Sequence, residues 1–202
     1  NATLTLSTPA SVDMTFFFFI CTPPTATTPP TVTIPAGQTS VPLTGLVGSA
    51  IYQVYVKYSC SATGPTIGWL KAYEFSTPCS VINGNFFEGF ESTLTGSSTN
   101  NTHPYCWTYI ETSTSTSVYG YVSTTPKTGS NSFYAYRTNL NSGPGDLMLI
   151  SPETNNLGSG TKQIRFWARS SSTSTTPNLV IYTMDGTTAT SNKTKIIDIA
   201  IT

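Results

Sequence analysis

The run Leu43-Thr44-Gly45-Leu46-Val47-Gly48-Ser49-Ala50-Ile51-Tyr52-Gln53-Val54-Tyr55-Val56-Lys57-Tyr58-Ser59-Cys60 carries the fold in its period. Tyr52, Val54, Val56, Tyr58 and Cys60 fall on one side of an extended chain, and Gln53, Lys57 and Ser59 on the other. That alternation is what a β-strand with one face in a core requires, because successive side chains point to opposite faces. The Leu-Thr-Gly-Leu that leads into the run predicts a tyrosine corner, with the Tyr52 ring in the core and its hydroxyl bonded back to the preceding loop. A strand of this kind needs a second sheet to cover its apolar face, so the run points to a sandwich.

The rest of the chain repeats the theme. Thr3-Leu4-Thr5-Leu6 alternates, Val32-Thr33-Ile34 and Val41-Pro42-Leu43 are short strands separated by the turn formers Pro35-Ala36-Gly37-Gln38, and the Pro-Thr-rich stretch Thr22 to Pro30 reads as loop. Met14-Thr15-Phe16-Phe17-Phe18-Phe19-Ile20 is apolar throughout and is expected to be a core strand buried on both faces; it is far too short for a membrane span. Further on, Ile164, Phe166 and Ala168 oppose Gln163, Arg165 and Arg169; Leu179, Ile181 and Thr183 oppose Val180, Tyr182 and Met184; Ile197, Ile199 and Ile201 oppose Ile196, Asp198 and Ala200. No stretch has the apolar spacing of a helix, and the fold class is all-β.

Composition bounds the partners. Of 202 residues only 9% are charged, nine basic against nine acidic, for a formal net charge of zero. This leaves no basic footprint for nucleic acid and no segment for membrane insertion. Cys21, Cys60, Cys79 and Cys106 lack the paired C-x-x-C spacing of a zinc ribbon, so disulfides and buried thiols both stay open. The glycosylation triplets at Asn1, Asn100 and Asn192 carry little weight in a chain so rich in Asn and Thr. The start shows no signal peptide, as expected of a mature or excised chain.

Catalytic constellations are weak. His103 and Cys106 are close in sequence, but Pro104 intervenes and no oxyanion donor is indicated. Glu88 and Glu91 could form the carboxylate pair of a glycosidase, which needs a separation of about 5 to 9 Å across a cleft. With so few acids a chance pair is the simpler reading, and the chain is expected not to be an enzyme. Trp69, Tyr119, Tyr121, Tyr134 and Tyr136 are the aromatics to inspect for sugar stacking, against the alternative of ordinary cross-strand packing.

Two resemblances organise these pieces. The Leu43 to Cys60 run, followed by Trp69 and Tyr73-Glu74-Phe75-Ser76-Thr77-Pro78-Cys79, resembles the last strands of a fibronectin type III domain of secreted proteins of Bacteroidota-type bacteria. The match is good over residues 31–80 and poor before. It implies a Cys60 to Cys79 bridge between two strand ends. From residue 86, Phe86-Phe87-Glu88-Gly89-Phe90-Glu91, Pro104-Tyr105-Cys106-Trp107, Gly129-Ser130-Asn131-Ser132-Phe133, Leu147-Met148-Leu149-Ile150-Ser151-Pro152 and Gln163 to Arg169, in that order, resemble the jelly-roll module called MAM-like, cleaved-adhesin or choice-of-anchor J. That resemblance implies a structural calcium for some relatives, with Glu91 as one ligand; Asp146 is the second candidate.

The expected organisation is two tandem antiparallel sandwiches, residues 1–80 and residues 83–202, tightly joined. The second stops inside an alternating strand and is expected to be incomplete. The expected role is adhesion or display at a bacterial cell surface or in a secreted protein, with a surface glycan or another protein as partner. The alternatives are a carbohydrate-binding accessory module of a secreted hydrolase, and a subunit of an extracellular fibre that self-associates through open strand edges.

Overall fold

A computed structural model of the chain describes residues 2–19, 24–25, 31–58, 68–114, 117–138, 145–172 and 176–201. The fold is all-β. No helix occurs among the described residues, every strand pair is antiparallel, and the chain divides into two compact units, Asn1–Ser80 and Val81–Thr202.

The first unit holds β1 (Ala2–Thr5), β2 (Met14–Phe19), β3 (Val32–Ile34), β4 (Ser40–Leu43), β5 (Ile51–Tyr58) and β6 (Leu70–Ser76). β1 pairs with β4, and a second sheet runs β3-β2-β5-β6. The inward side chains of both sheets make one core: Phe16, Ile34 and Val54 are buried with Ala10, and Leu4 and Val41 from the first sheet close over them. Tyr52 is buried, stacks on Phe75 at 5.4 Å between ring centroids, and its hydroxyl oxygen accepts the Val47 N–H at 2.9 Å. This is the corner expected from Leu43 to Tyr52, and it anchors the loop that feeds β5.

The four-phenylalanine strand differs from the expectation of burial on both faces. Phe16 is buried and Phe18 packs against the core, but Phe17 and Phe19 stack on the opposite face at 5.6 Å and remain half-exposed. Trp69 lies against Phe17 at 6.0 Å with the Lys57 ammonium over its ring. Among the described residues no second layer covers that face of β2, so alternate rings serve two environments.

Cys79 and Cys106 are each disulfide-bonded. Cys60, the partner that the resemblance implies for Cys79, lies outside the described residues, as does Cys21.

The second unit holds β7 (Thr108–Glu111), β8 (Val118–Ser123), β9 (Ser132–Arg137), β10 (Leu147–Ile150), β11 (Asn178–Met184) and β12 (Lys193–Ala200), paired as β7 with β10, β8 with β9 and β11 with β12. β12 does not alternate strictly: Ile181 faces Ile197 and Tyr182 faces Lys195, so Ile196 is an extra residue in a bulge. Residues 163–169, expected as a strand, are exposed and make no strand pair among the described residues.

Replacing Tyr52 by Phe leaves the stacked ring but strands the Val47 N–H. The expected loss is about 1–2 kcal/mol of stability, read as a lower urea midpoint with an unchanged slope.

Candidate binding face

The site begins with two short alternating sequences. In β8, Val118, Gly120 and Val122 point one way and Tyr119, Tyr121 and Ser123 the other; in β9, Phe133 shares the inner side and Tyr134 and Tyr136 the outer. The inner side is fixed by packing. Val122 is fully buried, and a Cβ on Gly120 would come within 2.5 Å of the Tyr109 ring and 2.8 Å of the Phe133 ring, so no larger residue fits there. The free edge of β8 is capped, because the Gly96 N–H donates to Val122 O at 2.9 Å and the Val122 N–H donates to Thr102 Oγ1 at 3.0 Å.

With that side locked, the register sets Tyr119 opposite Tyr136 and Tyr121 opposite Tyr134. Their rings form one cluster: Tyr119 stacks on Tyr136 at 4.9 Å and lies 5.8 Å from Tyr121, and Tyr121 meets Tyr134 edge-on at 5.6 Å. All four are half-exposed. Four of the five aromatics singled out in the sequence therefore share one face; the fifth, Trp69, belongs to the first unit, and its buried Nε1 has no hydrogen-bond partner among the described residues. The Tyr119 phenol is pushed above its usual range, first by desolvation and then by the neighbouring phenols Tyr134, Tyr136 and Tyr121. Tyr109, on the inner side, is pushed up by burial and then by the Glu111 carboxylate, to which its hydroxyl donates. The face is thus electrically neutral, apolar in its rings and able to donate and accept through its hydroxyls.

Behind this sheet three of the sequence motifs meet. Phe90 lies 6.2 Å from both Trp107 and Phe133, and Phe86 lies 6.3 Å from Trp107. The Glu91 carboxylate accepts the backbone N–H groups of Ser130 (2.9 Å) and Asn131 (3.2 Å), while the Asn131 side-chain amide donates to Phe90 O and Thr93 O. These bonds hold Phe90 at φ +64°, a left-handed conformation costly for a bulky residue. Glu91 is therefore a latch between the Phe-Glu start and the turn at residues 129–131.

Asp146 sits elsewhere in the network. Its carboxylate is paired with Lys193 at 2.6 Å, and its backbone N–H donates to Thr112 Oγ1. Among the described residues no contact joins it to Glu91, and no group of three or more His, Cys, Asp or Glu gathers as it would around a metal. Calcium takes about six to eight oxygens, and the ammonium beside Asp146 opposes a second cation there. Glu88 accepts the Phe90 N–H, and His103 contacts Pro104 O. Cys106 is held in its disulfide and offers no thiolate to His103.

No family model, no curated protein and no solved structure matches this chain.

Replacing Glu91 by Ala frees two backbone donors in the turn and is expected to cost about 1–2 kcal/mol, measured by urea unfolding. Running the wild type in calcium and in chelator tests the calcium expectation, since a midpoint that moves with chelator means that a cation stabilises the fold. For Tyr109 and Tyr119 the folded state holds the phenolic proton more tightly than the unfolded chain. Their contribution is complete below about pH 10 and is lost as pH rises through the raised values. Ultraviolet titration should show late-ionising phenols, and the urea midpoint should fall as pH rises above about 10.

Proposed function

We propose that the chain is a non-enzymatic adhesion segment of a secreted or cell-surface protein, and that the outer face of β8 and β9 is its contact surface for a glycan. The observation that carries this reading is the convergence of Tyr119, Tyr121, Tyr134 and Tyr136 on one half-exposed face. Sugars present apolar C–H faces and a dense set of hydroxyls, and a row of neutral phenols meets both, through ring contact and through hydrogen bonds. A zero formal net charge suits an uncharged polysaccharide better than a phosphate-bearing polymer.

The disulfide is compatible with an oxidising, extracellular compartment. Among the described residues no helix is long and apolar enough to cross a membrane, a statement that leaves strand-built membrane proteins aside. The tyrosines also stabilise the sheet by packing on one another, at about 0.2–1 kcal/mol per cross-strand pair. Packing alone, however, is served equally well by phenylalanine, which lacks the hydroxyls a sugar would engage.

The test separates these roles. The wild type is expected to be retarded in gels containing a neutral polysaccharide, or to bind members of a glycan array. Replacing Tyr119 and Tyr136 together by Phe should weaken that binding about tenfold or more while the urea midpoint changes little, a loss of about 1.4 kcal/mol in affinity. Wild-type protein that binds no glycan, or a double variant that binds as well as the wild type, removes the reading.

A further inference from the structure

Residues 163–169 carry the strongest strand pattern in the second unit outside its named strands, yet they form none. Ile164, Phe166 and Trp167 are 59%, 47% and 76% exposed. None of the backbone N–H or C=O groups of residues 163–168 makes a hydrogen bond among the described residues. The segment is nevertheless held in place. The Lys162 ammonium donates to Asn85 Oδ1 at 2.9 Å, Arg169 donates to Thr125 O at 3.4 Å, and the Lys127 ammonium lies over the Trp167 ring at 5.1 Å. It is an extended segment fixed at both ends, with β-branched and aromatic side chains and a free backbone between.

We infer that residues 163–169 are an acceptor for a β-strand donated by another polypeptide, apolar at alternate positions and acidic between them. Main-chain pairing supplies the attachment and the alternating side chains supply the register, as in other strand-addition complexes. Charge selects the donor. From Lys162 to Arg169 the segment has Lys162, Arg165 and Arg169 and no acid. An antiparallel pair of two copies places Lys162 against Arg169 in one near register and Arg165 against Arg165 in another, and like charges directly opposite one another are destabilising. A second copy is thus disfavoured, and a strand with Glu or Asp facing these cations is favoured.

The test uses the 202-residue chain and an acetylated peptide of alternating valine and glutamate, with a valine–lysine peptide as control, followed by amide hydrogen exchange. In the free chain the amides of residues 163–168 should exchange without protection. At about 1 mM valine–glutamate peptide they should slow by about tenfold or more, and the lysine peptide should leave them unchanged. Because these N–H groups are unpaired, Arg165→Pro and Phe166→Pro should each leave the thermal midpoint of the free chain within about 2 °C. Neighbouring N–H groups point to opposite edges, so one of the two variants should lose peptide protection and identify the edge used. Protection already present in the free chain, protection that grows with protein concentration alone, or no response to the glutamate peptide would each overturn the inference.

Discussion

A β-strand persists when two demands are met together: its apolar side chains must leave water, and its backbone N–H and C=O groups must find partners along both edges or face solvent. The charged residues are few enough that ion pairs cannot substitute for either, and the pairs Lys71–Glu74, Lys193–Asp146 and Lys195–Asp198 are largely exposed and worth little. β5 meets both demands. Neighbours β2 and β6 take its edges, while Tyr52 and Val54 enter a core closed by Leu4 and Val41 from the facing sheet. The corner bond from Val47 to the Tyr52 hydroxyl then ties the connecting loop to that core.

The same two demands explain the second unit by their uneven fulfilment. β8 is covered on its inner side by Tyr109 and Phe133 and capped at its edge by Gly96 and Thr102, so its outer tyrosines are held in a fixed array. The Glu91 latch performs a related task for the loop around Phe90, supplying acceptors to a turn whose N–H groups would otherwise lack them. Residues 163–169 have the side chains of a strand without an edge partner, and they stay extended and open.

Two features of the surface follow from these differences. On the proposed reading, an array of neutral phenols on one sheet would offer an ordered face to a hydroxyl-rich ligand, so little ordering entropy would remain to be lost on contact. An open, cationic, strand-patterned segment offers a main-chain edge instead, which suits a polypeptide. A single chain can carry both because one lies on the outward side chains of a sheet and the other on an unpaired backbone.

Period-two alternation was readable along the chain, and with it the all-β class, the Tyr52 corner and the choice of Tyr119, Tyr121, Tyr134 and Tyr136 as aromatics to inspect. Each depends on neighbours in sequence or on the intrinsic preference of branched and aromatic residues for a pleated surface. The tertiary structure alone decided what met what. Register brought the four tyrosines together, Lys193 claimed Asp146, and no strand among the described residues pairs with residues 163–169. A sequence records which face a side chain takes along its own strand, but the pairing of one strand with another depends on contacts between residues far apart in the chain, where local preference has no say.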